Sequence, residues 1–201
     1  MKIISALFIF FIYLSGNAIT PIVGLGLDGG GDSLSNVTGG QNYNLKAGSG
    51  FEYLVGVLLP ISPTIPHSFE LQLAVGWIYQ NAGGYDKDVT WQRTPIEAIY
   101  YYRNIRNKFR LGWGGIYSAN NKIIGNGINS SATMDVDDAR GWIASIEMVA
   151  PKVQSAEYPA YSQKFTHVGF GLKYKSIKYN SSTFPGPSDG SGWSLITTII
   201  Y

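Results

Sequence analysis

Large apolar and aromatic side chains recur at every second position from Phe69 to Tyr79, and the same period returns along most of the chain. Successive side chains of a strand point to opposite faces, so Phe69, Leu71, Leu73, Val75, Trp77 and Tyr79 share one face. Glu70, Gln72, Ala74, Gly76 and Gln80 share the other. A soluble sheet with so apolar a face needs a second layer over it, and no stretch after the first twenty residues has the 3.6-residue period of a covering helix. Clusters of Gly, Asn, Asp, Ser and Pro cut the pattern at intervals. The remaining outward sets are Val23/Leu25/Leu27, Phe51/Tyr53/Val55/Val57/Leu59, Ile96/Ala98/Tyr100/Tyr102, Phe109/Leu111/Trp113/Tyr117, Trp142/Ala144/Ile146/Met148, Val168/Phe170/Leu172/Tyr174 and Trp193/Leu195/Thr197/Ile199/Tyr201. The pattern predicts an all-β fold of eight strands. A soluble β-sandwich or lipocalin-like barrel would show a similar alternation, and the loop asymmetry and the terminal residue decide for an eight-stranded antiparallel up-and-down transmembrane β-barrel, the smallest even barrel that spans a membrane.

The first residues carry a separate message. Lys2, an apolar run from Ile3 to Leu14 and the small residues Ser15-Gly16-Asn17-Ala18 have the layout of a secretory signal, with cleavage expected after Ala18. The expected organisation is a signal peptide over 1–18 and an outer-membrane barrel over 19–201. Cysteine is absent, so disulfides and thiolate metal sites are excluded. A net charge of +2 with no long basic run excludes nucleic acid as a partner.

Connection lengths set the orientation. The links near Pro60–Pro66, Arg103–Asn107 and Pro151–Ser162 are mostly short or proline-marked and are expected on the periplasmic side. Those near Gly29–Lys46, Asn81–Val89, Ala119–Asp138 and Asn180–Ser191 are polar and mostly longer, and are expected outside the cell. Trp77, Tyr79, Trp113, Tyr117 and Trp142 then fall toward the external ends. Tyr102, Phe69, Phe109, Phe165 and Tyr201 fall toward the periplasmic ends, and Trp193 and Tyr201 bracket the last strand. Amphipathic rings favour the headgroup region, so a lipid-facing girdle of Trp77, Tyr79, Tyr102, Trp113, Tyr117, Trp142, Trp193 and Tyr201 is expected.

The inward faces hold the charge. Glu52, Glu70, Arg93, Glu97, Arg110, Glu147, Lys173 and Lys175 form an expected lumen network, with Gln72 and His167 beside them. Four acids and four permanent bases in so small a space should pair, because an isolated charge there is costly. Inward glycines, among them Gly26, Gly112, Gly169 and Gly171, leave room for the long side chains. The lumen of an eight-stranded barrel is filled by side chains, so the expectation is a plug. Arg93 and Glu97 are expected to bracket the lumen along its axis. Pro95 lies between them and cannot donate a ladder hydrogen bond, so it is expected to mark a bulge or an unpaired stretch.

Catalytic and metal motifs are weak. Lipid A deacylases carry His, any residue, Ser on a strand, whereas His167-Val168-Gly169 has glycine at the nucleophile position and His67-Ser68-Phe69 has the wrong spacing. No enzyme and no cofactor is expected. Asp28-Gly29-Gly30-Gly31-Asp32 and Asp135-Val136-Asp137-Asp138 present carboxylates without the spacing of a calcium loop, and are read as solvated loop charge.

The terminal strand, which closes on Tyr201 where Phe is usual, resembles the carboxy-terminal signature of bacterial outer-membrane barrels. Lys46-Ala47-Gly48-Ser49-Gly50, Trp91-Gln92-Arg93-Thr94-Pro95-Ile96-Glu97 and Phe109-Arg110-Leu111-Gly112-Trp113-Gly114 are similar to a subgroup of small Gram-negative proteins of the OmpA-transmembrane-domain and OmpX type. The resemblance implies a monomer in the bacterial outer membrane, with lipid and lipopolysaccharide around it. It also implies contact with the barrel-assembly machinery through the last strand and an extracellular ligand of unspecified nature at the loops. A structural or surface-interaction role is the first functional expectation. A narrow channel for small solutes, as in OmpW-like barrels, is the second, and a lipid-modifying enzyme the third.

Overall fold

A computed structural model of the chain describes residues 19–34, 45–62, 67–84, 87–104, 108–127, 130–150, 167–181 and 187–200. The expected signal peptide, the Pro151–Ser162 link, Phe165 and Tyr201 lie outside the described residues. Ten strands are described: β1 (Thr20–Gly30), β2 (Gly50–Ser62), β3 (His67–Gly84), β4 (Lys87–Asn104), β5 (Phe109–Gly127), β6 (Ser130–Val136), β7 (Ala139–Ala150), β8 (His167–Tyr179), β9 (Ser188–Asp189) and β10 (Gly192–Ile200). Eight of them form the wall, each antiparallel to its neighbours, in the order β1-β2-β3-β4-β5-β7-β8-β10. The barrel closes because β10 pairs both β8 and β1, with Leu195 opposite Leu172 on one side and Leu27 on the other. Closure leaves no edge in the wall itself.

Burial follows the period. Along β8 the outward Val168, Phe170 and Leu172 are exposed, while Gly169, Gly171, Lys173 and Lys175 are buried. The exposed apolar residues form a continuous belt on the wall, from Leu25 and Leu27 on β1 through Tyr53 and Val55 on β2 to Ile146, Met148 and Leu195. Inside, one apolar group of Ile22, Leu54, Leu58, Ala74 and Ile200 fills the rim where the chain enters and leaves the barrel, the terminal rim. A larger group, including Leu34, Leu45, Val89, Trp91, Ile123, Val136, Ile143, Ile177 and Tyr179, lines the β4–β8 side and the opposite, distal mouth.

Two links expected to be open loops are largely strand. β3 and β4 continue together to the pair Gly84 and Lys87, and β5 runs on to Gly127 and folds back as β6, with Ile123 opposite Met134. The cause is visible in the residues: Val89, Trp91, Ile123 and Val136 keep placing large apolar groups on one face, which pays its ladder by packing over the distal mouth. The closed wall keeps the expected eight strands, and the short β6 and β9 lie outside it.

The irregularity expected near Pro95 lies beside it. The β4–β5 register slips between Gln92 and Thr94, and on the β3 side the recorded pairs skip from Ile96 to Arg93. The extra residue is on β5, where Asn120 takes a left-handed conformation with φ of 51°. Asparagine tolerates that region better than most residues. The slip reverses the alternation of β5, so Ser118 and then Asn121 and Ile123 are the buried positions.

Candidate functional site: the charged lumen and its distal plug

Five carboxylates and five permanent cations project inward among the described residues: Asp28, Glu52, Glu70, Glu97 and Glu147 against Arg93, Arg103, Arg110, Lys173 and Lys175. Nine of the ten take part in ion pairs, in two groups. In the first, Lys173 Nζ on β8 lies 2.8 Å from Glu97 Oε2 on β4 and 3.8 Å from Glu52 Oε2 on β2. Lys175 Nζ, two residues along β8, reaches Glu52 Oε1 at 2.9 Å and Asp28 Oδ2 on β1 at 3.0 Å. Ser194 Oγ on β10 donates to Asp28 as well. Since β8 adjoins neither β1, β2 nor β4, these pairs are chords across the inside of the barrel.

The second group is built on Arg110. Its Nε and Nη2 donate to Glu147 Oε2 at 3.1 and 2.7 Å, and its Cζ lies 4.2 Å from the centre of the Tyr101 ring. Tyr101 OH donates to Glu147 Oε1 at 2.7 Å and Thr198 Oγ1 donates to Oε2 at 3.1 Å. Glu147 thus holds a charge-assisted pair and two neutral donors, the saturation that a buried carboxylate requires. Arg103 Nη1 pairs Glu70 at 3.2 Å nearer the terminal rim, and Arg110 Nη1 stands 4.0 Å from Glu70 Oε2. Small residues make the space: a Cβ on Gly112 would lie 2.5 Å from Tyr101 Cε1, and one on Gly171 2.6 Å from Glu147 Cγ.

Arg93 does not join either group. Its Nη1 and Nη2 donate to the carbonyls of Ala47 and Ser49 at 2.7 and 2.5 Å, and Trp91 Nε1 donates to the Ala47 carbonyl at 3.2 Å. Arg93 and Glu97 are both buried on the inward face of β4, and Arg93 is latched to the chain between β1 and β2. The reason is the depth to which that chain descends: Leu34, Leu45 and Ala47 are buried against Trp91 and its group. Above them, Asp32 N donates to the Asp189 carbonyl at 2.7 Å and Asp189 N to Asp32 Oδ2 at 2.8 Å, tying the first distal link to the last. A Cβ on Gly31, whose φ is +81°, would stand 2.4 Å from Gly48 N, so glycine is needed for the two backbones to approach. Hydrogen bonds from Ser191 hold the Asp189 carboxyl below its ordinary range.

Asp28 corrects a second expectation. Read as loop charge within a glycine-rich run, it lies on β1 and its carboxylate is in the lumen with Lys175. Tyr101 and Arg103 are lumen residues beyond the expected set. Tyr101 follows from the inward parity of β4, but only the packed structure brings its hydroxyl to Glu147. In the Asp135–Asp138 run, Asp135 lies 3.8 Å from Lys122, Val136 is buried and Asp138 accepts the Tyr117 hydroxyl. The two histidines are far apart in role: His67 Nδ1 meets Tyr102 OH at 2.5 Å, and His167 is partly buried at the start of β8.

Of the aromatic residues singled out above, Trp77, Tyr79, Trp113, Trp142 and Trp193 are exposed on the outside of the wall, and Tyr102 and Tyr117 are half-exposed. Tyr174 joins Trp142 and Trp193 with ring centres 5.4 and 5.0 Å apart. No protein-family model matches the chain, and no curated protein sequence matches it. Among solved structures it is similar to Ail, the attachment invasion locus protein of Yersinia pestis, in complex with the heparin analogue sucrose octasulfate, at 10% identity and a TM-score of 0.48. A second structure of the Yersinia pestis Ail protein is similar at 10% identity and a TM-score of 0.46, and in each case 90% of this chain and 96% of the other are covered.

Proposed function

We propose that this chain is an integral bacterial outer-membrane barrel, closed to solutes, that acts at the cell surface through its distal strands and links. The observation that carries the reading is the inversion of the barrel: apolar residues such as Trp113, Met148 and Phe170 are exposed on the wall, while the paired charges are inside. Water would reverse that arrangement, and a hydrocarbon solvent favours it. The aromatic girdle, the signal peptide expected over 1–18 and the OmpA/OmpX-like resemblance support export and outer-membrane insertion. The distal end is then external, and the polar edges of β3, β4 and β6 face the medium.

The charge chords and the latched chain above them support a silent barrel over the channel reading. The mature protein, refolded in a planar bilayer, is expected to give no conductance steps over a wide voltage range, and Arg93→Ala is expected to stay silent because the Lys173–Glu97 and Lys175–Glu52 chords lie beneath its latch. Reproducible steps that change in Arg93→Ala and Glu97→Gln would make the lumen a transport path and overturn this reading.

A further inference from the structure

Every pairing of the wall except one joins strands that follow each other along the chain, if the short β6 and β9 are set aside. The exception is the seam, where β10 meets β1 and Ile22 stands opposite Ile200. This pairing brings the two ends of the barrel together, so it carries the largest loop-closure cost and depends on the rest of the wall being laid down first. The distal end of the seam is the pair Gly30 and Gly192. What lies beyond that pair decides whether the seam can fray.

Three segments meet there: Gly30–Asp32 at the end of β1, Lys46–Ser49 before β2, and Asp189–Ser191 before β10. Asp32 is bonded on both sides, since its N–H donates to the Asp189 carbonyl and its own carbonyl accepts from Ala47 N at 2.8 Å. Gly48 N donates to the Gly30 carbonyl at 3.2 Å, and Gly30 N donates to Ser49 Oγ at 3.1 Å. The backbones touch directly. A Cβ on Gly31 would lie 2.8 Å from the Asp189 carbonyl oxygen, one on Gly30 2.8 Å from that of Ser191, and one on Gly48 2.5 Å from that of Gly190. Gly30 and Gly31 also hold positive φ, of 129° and 81°, which glycine adopts without a steric penalty.

Both outer ends of this assembly are anchored on the wall. Arg93 of β4 holds the carbonyls of Ala47 and Ser49. On the other side Gly190 N donates to the Ile177 carbonyl of β8 at 2.9 Å, and Ile177 N donates to Ser191 Oγ at 3.3 Å. The hydrogen bonds therefore run from β4 to β8 over the end of the seam.

We propose that these three segments are a seam lock, a strap that engages once β10 has met β1 and then keeps the closed barrel from reopening at its distal end. The proposal rests on the closed wall and is independent of the membrane reading. Asp32 and Asp189 are 157 residues apart, and the segment before β10 is brought to Gly31 by the pairing of Gly192 with Gly30. Contacts made after the transition state slow unfolding and leave the folding rate alone. The lock sets how long the barrel stays closed, not how fast it forms.

The test is a pair of rates, for refolding into detergent micelles and for unfolding in urea, followed by tryptophan fluorescence and heat-modifiable migration. Gly31→Ala sets a Cβ against two backbones at positive φ and is expected to unfold about tenfold faster, with a refolding rate within about twofold of wild type. Ser49→Ala removes the hydroxyl that Gly30 uses, is expected to unfold about threefold faster, and decides the matter if Gly31→Ala does not refold. Gly29→Ala is the reference: its Cβ meets nothing within 4 Å, and neither rate should change. Wild-type unfolding rates in Ser49→Ala and in any refolded Gly31→Ala would overturn the lock. Slower refolding with unchanged unfolding would overturn it too, because it would place these contacts in the folding nucleus.

Discussion

Arg110→Ala is expected to destabilise the refolded barrel by about 3–5 kcal/mol, the cost of removing one member of a buried ion pair. Its guanidinium is fully buried and supplies two of the hydrogen bonds to Glu147 Oε2, and its flat face covers Tyr101. Without it Glu147 keeps two hydroxyl donors, from Tyr101 and Thr198, and among the described residues no other cation within ion-pair distance. Glu70 loses its second cation but keeps Arg103. Urea unfolding in vesicles, followed by tryptophan fluorescence, measures the loss. Arg103→Ala is the internal comparison: its side chain is 17% exposed at the terminal rim, so water replaces part of what is removed and the loss should be well below that of Arg110. Equal midpoints for wild type and Arg110→Ala would mean that water or a proton already neutralises Glu147, and the lumen would not be the closed, paired interior described here. A second variant, Arg110→Met with Glu147→Leu, removes both charges and should recover most of the loss, since a well-packed apolar pair avoids the desolvation cost of the ions.

Much of this geometry is legible in the chain because a strand reports its two faces with a fixed period. Glu52, Glu97, Lys173 and Lys175 alternate with large apolar residues, and that alternation is enough to turn them inward. What the period does not reveal is which inward residues meet. Lys173 and Glu97 are 76 residues apart and join only because β8 and β4 face each other across the closed wall. Asp28 was hidden by the glycines after it, which look like a loop although the strand continues through Gly30. The partners of Arg93 are not legible either, because backbone carbonyls leave no mark in the pattern and the chain at Ala47 and Ser49 offers two. At Asn120 the period itself fails, since one extra residue exchanges the faces beyond it. The hairpin of β5 and β6 is hidden in the same place, because its alternation is shifted out of phase.

Leu172→Arg should separate a lipid-facing wall from one that faces water or a protein. Leu172 is 45% exposed, and its register neighbours Ile146 and Leu195 are exposed apolar residues as well. If that row lies in hydrocarbon, the arginine costs about 2–4 kcal/mol in vesicle refolding, near the value for a charge at the bilayer midplane. On a water-exposed wall a surface substitution of this kind stays within about 0.5 kcal/mol. A wall covered by another protein would also resist the charge, so a second position is needed. Gly29 faces outward at the distal end of β1, and a side chain there meets nothing within 4 Å. Gly29→Arg should cost about 0–1 kcal/mol if it sits at the interface, because the penalty for a lipid-facing charge falls steeply away from the midplane. A large loss at Leu172 with a small one at Gly29, read from the same refolding titration, is the depth dependence that a bilayer imposes. Equal small losses would instead place the belt in water and leave the inverted burial of this barrel without its solvent.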